Sequence, residues 1–210
     1  MLDKKTICIV EDKHELRDAM TTMVEMTDGL IAGGSYASAE EATPAITRLK
    51  PDAVLMDINL PGASGIACVA ALKNQFPKML FLMCTAFDDS DKIFNSLKAG
   101  ASGYILKSEG PAKVIEALAD MLAGGSPMSS SIARKVVSSF KQHEAANELI
   151  LELTDREKVV LDLLAIGLMN KEVADKLNIS PATVRTHIQH IYEKLQVNTR
   201  VEAVNLYLKR

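Results

Sequence analysis

The chain is predicted to fold as an α/β module on a parallel sheet, followed by a smaller all-α module. Three observations predict this. Short apolar, β-like runs alternate with helical patterns through the first 122 residues, and strands alternating with helices form βαβ units around a parallel sheet. Runs such as AVLM (53–56) and MLFLMC (79–84) are apolar on both faces, as expected for strands covered by helices on both sides. From residue 151 strand-like runs cease, and short helical patterns follow.

The predicted strands are KTICIV (5–10), LIAGGSYA (30–37), DAVLM (52–56), KMLFLMC (78–84) and SGYIL (102–106). Between the first two, Leu16, Met20, Met23 and Val24 recur at helical spacing within 14–27, and 64–75 and 89–99 behave alike. Pro44 falls inside the second helical pattern and is expected to kink or delay it. Gly110-Pro111 places a last helix, with proline in its first turn, running to about Leu122. The Gly/Ser/Pro cluster AGGSPMSSS (123–131) then punctuates the chain. Residues 124–150, with the polar stretch QHEAAN, are expected to be a partly helical linker between a domain at 1–123 and one at 151–210. In the second module Thr154 and Glu157 have capping-box spacing ahead of VVLDLLAI. KEVADKL forms its second helix, Ser180-Pro181 caps a third to about Gln196, and 199–208 forms the fourth.

Of the 210 residues 48% are apolar and 24% charged, the profile of a packed soluble chain. No basic segment followed by an apolar stretch marks a leader, and no apolar run approaches the roughly 20 residues of a membrane span. Cys8, Cys68 and Cys84 are odd in number, sit among apolar residues and lack CxxC spacing. They read as buried thiols of a reducing, cytoplasmic compartment. Before residue 150 there are 15 basic against 19 acidic residues, and from 150 onward 9 against 8, which points to two modules with different partners.

In an open parallel sheet, ligands sit beyond the carboxyl ends of the strands, near the point where strand order reverses. The residues following each strand are therefore informative: Glu11 and Asp12, then Asp57, Thr85 and Lys107. Three carboxylates at one rim repel unless a cation or proton is present, and a hard cation held by carboxylates, a carbonyl and water suits Mg²⁺. Lys107 and Thr85 add an ammonium and a hydroxyl, fit to stabilise added negative charge such as a phosphoryl group. Asp57, with a Pro-Gly turn behind it, is the candidate nucleophile. Any one of these residues is equally at home as an ordinary loop residue capping a helix; their joint placement at four strand ends weighs against that reading. Aspartyl-phosphate phosphatases carry a second Asp two residues on as general acid/base. Here Asn59 stands there and cannot transfer a proton, which favours a persistent phosphorylated switch over a turnover enzyme.

The segments VEDK, MDINLPG, CTA and GYILKS, in this order and spacing, closely resemble the receiver domain of two-component response regulators over about residues 1–122. The resemblance implies a flavodoxin-like (βα)5 fold and phosphorylation of Asp57 by a sensor histidine kinase. It further implies Mg²⁺ held by Glu11, Asp12, Asp57 and the backbone carbonyl of Asn59, with Lys107 pairing with the phosphoryl group and Thr85 moving to hydrogen-bond it. Tyr104 matches the family's switch aromatic; from the residues alone it is equally a half-buried strand residue.

In the third helix of the second module Val184, Ile188, Ile191 and Leu195 form one apolar stripe. Ala182, Thr186 and Gln189 point the other way, with Arg185 on the flank. A short helix, a tight NIS-P turn and a longer helix read as helix-turn-helix, whose second helix offers its N-terminal residues to the major groove. Thr183, Arg185, Thr186 and Gln189 are the candidate base readers, and Asn170, Lys171, Lys194 and Arg200 the candidate phosphate contacts. A small bundle with a merely solvated polar face is the plain alternative, favoured by the near-neutral charge. The string from Leu153 to Val204, LTDREKVV through TRVEAV, resembles the LuxR-type helix-turn-helix.

With the receiver ahead of it, the chain resembles a NarL/FixJ-family regulator. That resemblance implies a DNA-binding transcription regulator of four C-terminal helices that, once phosphorylated, binds double-stranded promoter DNA as a homodimer. Two positions depart from the family pattern. Met169 stands where Ser or Thr would cap a helix with Glu172, leaving Asn170 to take over, and Gln189 stands where Lys or Arg is common. His187 and His190 lack further ligands nearby and are not read as a metal site. A receiver with a C-terminal protein-docking bundle, and a constitutive phosphorylation-independent regulator, stay open as alternatives.

Overall fold

The computed structural model describes residues 4–86 and 88–208, with the side chains of 140–146 outside the description. The chain divides into two compact units, Met1–Ser138 and Ser139–Arg210.

The first unit alternates strands β1 (Lys5–Val10), β2 (Leu30–Tyr36), β3 (Ala53–Met56), β4 (Leu80–Thr85) and β5 (Gly103–Leu106) with helices α1 (His14–Glu25), α2 (Ala39–Leu49), α3 (Gly65–Gln75), α4 (Ser90–Lys98) and α5 (Pro111–Leu122). A single 3-10 turn over Lys107–Glu109 precedes α5. The strands are all parallel in the order β2-β1-β3-β4-β5, the flavodoxin-like order. Because the chain first steps outward to β2 and then crosses back to β3, strand order reverses between β1 and β3. The functional rim is expected there.

Alternation along each strand builds a core on both faces of the sheet. Cys8, Val10, Val54, Met56, Phe81, Met83 and Tyr104 pack with α2, α3 and α4. Ile7, Ile9, Leu55, Leu82, Cys84 and Ile105 pack with α1 and α5. Burying each large apolar side chain contributes about 1.5–3 kcal/mol. All three cysteines are free and buried, and burial pushes the Cys8 thiol up to about 11 and Cys84 to about 12.

Pro44 does not delay its helix. The Ser38 hydroxyl accepts from the Glu41 N–H at 3.2 Å and starts α2 at Ala39, five residues ahead of the proline. Buried Ala39, Ala42 and Ile46 carry the helix across it, so packing outweighs the lost N–H.

The stretch expected to be a partly helical linker is helix α6 from Ser130 to Leu151. Lys, Gln, Glu and Ala in KQHEAANEL are good helix formers, so the helix needs no apolar stripe through that stretch. Its first turns belong to the first unit: Ile132 is fully buried in the same cluster as Ile93 and Tyr104, and Val136 packs against it. Its last turn belongs to the second unit, where Ile150 joins that core.

The second unit contains helices α7 (Asp155–Ala165), α8 (Asn170–Leu177), α9 (Pro181–Leu195) and α10 (Arg200–Leu208). They pack around Val160, Leu161, Leu164, Val173, Val184, Ile191 and Leu195. The expected capping box opens α7: the Glu157 N–H donates to the Thr154 hydroxyl at 3.3 Å, and the Thr154 N–H donates to Glu157 Oε2 at 2.8 Å. The Lys194 ammonium, from α9, donates to that same carboxylate oxygen at 2.7 Å. At the head of α8, Asn170 does not take over the cap. It is the first helical residue, and Met169 keeps the cap position. The Glu172 carboxylate accepts from the Met169 N–H at 2.6 Å, which is half of a capping box. A thioether sulfur is too weak an acceptor to supply the other half.

Met169 is 68% exposed, so Met169→Ser adds the missing oxygen without opening a cavity. It should stabilise the second unit by about 1 kcal/mol, measured as a higher urea midpoint by helical circular dichroism. Burial pushes the Glu157 carboxyl up, but the Lys194 ammonium and the Thr154 groups pull it below the ordinary glutamate range. A carboxyl depressed in the folded state stabilises above its unfolded value and loses that contribution as pH falls through its folded value. Wild-type stability should therefore fall below pH 4.5, the ordinary glutamate value. Glu157→Gln should be less stable at neutral pH, and its urea midpoint should change less through that acid range.

Candidate phosphoacceptor site and DNA-facing helix

At the C-terminal edge of the sheet, β1 ends at Val10 and delivers Glu11 and Asp12, while β3 ends at Met56 and delivers Asp57. Glu11 and Asp57 are buried and Asp12 is exposed. One carboxylate oxygen from each of the three lies within 4.8 Å of the others. Lys107, one residue past β5, reaches across: its Nζ stands 2.5 Å from Glu11 Oε2 and 3.0 Å from Asp57 Oδ2. The other Asp57 oxygen, Oδ1, accepts the Ile58 N–H at 2.7 Å.

Burial pushes the Glu11 carboxyl up, and the Lys107 ammonium pulls it back only in part. Burial works against the charge on Lys107, yet its hydrogen bonds to Glu11 and Asp57 outweigh that, and it holds its proton more tightly than an ordinary lysine. Glu11 Oε2 is buried, and its neutralising partner is the Lys107 ammonium. Three carboxylates gathered at one rim are a donor set that suits a hard divalent cation.

Thr85 ends β4 fully buried. Register places it opposite Leu106, beside Lys107. Tyr104, open in the sequence between switch aromatic and half-buried strand residue, is fully buried. Burial first, then the charges of Asp89, Asp57 and Asp88, raise its phenol. Asn59 is exposed on the loop after β3, and its Oδ1 accepts from the Lys92 ammonium of α4 at 3.3 Å.

Several supporting residues escaped the sequence reading. Arg17 Nη1 donates to the carbonyls of Glu11 at 2.7 Å and Asp12 at 3.2 Å, locking the backbone that carries both acids. The Glu40 carboxylate accepts from the Ala63 N–H at 2.9 Å and holds the loop behind Asp57. Gly65 opens α3 directly against the Asp57 carbonyl, where a Cβ would come to 1.8 Å. A glycine in the first turn of a helix, a poor helix former there, was the one signal in the sequence for this close approach.

In the second unit α8 and α9 are joined by a tight turn in which Asn178 takes a left-handed conformation, φ 53°. The Ser180 hydroxyl accepts from the Thr183 N–H at 3.0 Å and caps α9. Val184, Ile191 and Leu195 are buried and Ile188 is partly so, as the stripe predicts. Thr183, Arg185, Thr186 and Gln189 are exposed on α9. The Thr183 hydroxyl is paired with Ser180 at 2.8 Å, Thr186 donates to the Ala182 carbonyl at 3.2 Å, and Gln189 donates to Glu193 at 3.1 Å. At the head of α8 Lys171 is exposed and Asn170 half-buried.

Two of the expected phosphate contacts are engaged elsewhere. Lys194 neutralises the buried Glu157, and Arg200 Nη2 donates to the carbonyls of Leu164 and Leu168, both at 2.8 Å, closing the end of α7. A terminal helix carbonyl without a partner attracts a cation. Spacing in the sequence cannot show that such a carbonyl lies within reach.

Residues 7–119 match the family described as response regulator receiver domain, and 151–207 match the bacterial regulatory proteins of the luxR family. The transcriptional regulatory protein LnrK of Bacillus subtilis (strain 168) is 32% identical over 206 residues, covering 94% of this chain and 93% of LnrK. The nitrate/nitrite response regulator protein homolog of Haemophilus influenzae is 30% identical over 210 residues, 100% of this chain and 99% of that protein. The crystal structure of the response regulator ChrA, of a heme-sensing two-component system, is similar with a TM-score of 0.56 at 26% identity over 99% of this chain and 98% of ChrA. With acids gathered at the switch point of its sheet and a helix-turn-helix behind it, the chain belongs to the response regulators that couple a receiver to a LuxR-type DNA-binding domain, the NarL/FixJ family of transcription regulators.

Proposed function

We propose that Asp57 accepts a phosphoryl group from a sensor histidine kinase and that the modification switches dimerisation and binding to promoter DNA. The bridge from Lys107 to Asp57 and Glu11 carries the reading. A carboxylate oxygen of Asp57 attacks phosphorus, the bond from phosphorus to the kinase histidine nitrogen breaks, and that nitrogen leaves as imidazole. Glu11, Asp12, Asp57 and the carbonyl of Asn59 would hold Mg²⁺, which when bound would neutralise charge on the phosphoryl oxygens. Lys107 pairs with one of those oxygens, and the Thr85 hydroxyl moves to donate to another, with the Tyr104 ring following it. Asn59 cannot take a proton from an attacking water as a carboxylate would, so water attacks the phosphoaspartate slowly and the phosphorylated state persists long enough to act as a signal.

The second unit then reads DNA. Arg185, Gln189, Thr183 and Thr186 face base edges in the major groove, while Lys171 and Asn170 orient the unit on phosphates. We assign Lys194 and Arg200 to the fold of the unit instead. One helix-turn-helix per chain reads one half-site, so two copies bind half-sites about one helical turn apart. Val201 and Leu208, each at least 65% exposed on α10, offer an apolar face for pairing. DNA as the partner implies a cytoplasmic setting.

With a small-molecule phosphodonor and Mg²⁺, the wild-type chain should gain the mass of one phosphoryl group, and Asp57→Asn should gain none. Uptake by Asp57→Asn at the wild-type level would overturn the assignment, and a phosphorylated chain that sediments as a monomer on operator DNA would remove the dimer. In gel shifts across a salt series, Arg185→Ala should cost about 1–3 kcal/mol and relax sequence preference. Lys171→Ala should weaken all sequences alike and lower the salt slope by roughly 1.

A further inference from the structure

The arm that leaves α5 does not hang free of the receiver. The Tyr104 N–H donates to the Pro127 carbonyl at 2.9 Å, and Met128 forms a parallel bridge with Tyr104. The arm thus occupies the outer edge of β5, which is the last strand of the sheet. Gly103 makes room for it: a Cβ there would stand 2.7 Å from Pro127 Cγ. One turn on, Ile132 is fully buried among Ile93, Tyr104 and Phe81, with Met128 and Val136 packed alongside. Lys135 then reaches back to the loop between β4 and α4, its ammonium 2.5 Å from both the carbonyl and the carboxylate of Asp88.

These contacts converge on two residues. Asp88 lies three positions after Thr85, on the loop that must shift if Thr85 is drawn toward Asp57. Tyr104 is the strand residue whose backbone holds the arm and whose ring lies in the cluster that buries Ile132. On its α5 side the arm is open, bordering a cleft of about 530 Å³ lined by Glu109, Lys113, Glu116 and Asp120. The contacts described for the arm therefore lie on the side that the switch would disturb. α6 itself runs from Ser130 to Leu151 and carries the chain from the first unit into the second.

We propose that residues 127–138 form a latch on the α4–β5 side of the receiver, pinned by Lys135 to Asp88 and released by the phosphorylated state. The proposal rests on the phosphoacceptor reading above and names the element by which that signal leaves the receiver. Movement of the loop after Thr85 withdraws the Asp88 carbonyl and carboxylate from Lys135, and movement of the Tyr104 ring undermines the seat of Met128 and Ile132. A purely structural edge cap would be indifferent to both.

Hydrogen exchange of the full chain, read by mass spectrometry with and without phosphodonor and Mg²⁺, tests this. Peptides covering 126–138 and the Tyr104 amide should exchange about tenfold faster or more on phosphorylation, the size of a local opening, with little change in β1 and β3. Lys135→Glu should show the fast exchange without phosphodonor, and Lys135→Glu with Asp88→Lys should restore protection. Phosphoryl uptake without any change in arm exchange would overturn the latch and leave the phosphoacceptor reading intact. No uptake would overturn both. Arm protection in Lys135→Glu equal to wild type would overturn the pin at Asp88.

Discussion

Carboxylates at the end of a buried sheet repel one another, and everything in the receiver is arranged around that repulsion. Glu11 and Asp57 are nearly inaccessible to water, where unpaired charge is expensive. Lys107 touches both, from a turn that only the last strand can deliver to this place. Such a pairing adds little net stability against an apolar core of the same shape. What it preserves is a buried cation held between two buried carboxylates at the rim of the sheet. Arg17, Glu40 and Gly65 hold the backbone on either side of the acids, so the rim keeps its shape without more apolar burial.

The second unit solves a similar problem with the opposite emphasis. Its near-neutral balance of charge looks unpromising for a DNA-binding module until the cations are followed individually. Lys194 and Arg200 close helix ends within the unit, while Arg156, Lys171, Lys176 and Arg185 are exposed. Near-neutral net charge thus does not mean that cations are missing from the surface: two are engaged inside the unit and others stay in water.

Much of this was legible from local pattern. Strand runs, helical spacing and residues at strand ends follow from periodicity and chain direction, because a side chain's face in a strand or helix is fixed by its position. The gathering of Glu11, Asp12, Asp57 and Lys107 was readable because parallel sheets deliver all their strand ends to one edge. Pro44 was misleading, since the rule about proline is local while Ser38 and buried Ile46 act from outside it. Asn170 misled in the same manner: Glu172 already satisfies the Met169 N–H, so the helix start had no need to move.

The sequence by itself determined which residues could do chemistry and the order in which strands and helices present them. Tertiary structure alone decided which charges face each other. It paired Lys194 with Glu157 across 37 positions and Lys135 with Asp88 across 47, and it brought Tyr104 and Ile132 into one buried cluster. The physical reason is that periodicity constrains neighbours along one element. Contacts between elements depend on how whole faces dock, and that is set by the summed packing of many side chains at once. A lysine at 135 is one cation among many until the arm lies along β5; there its ammonium meets Asp88 on the loop after β4.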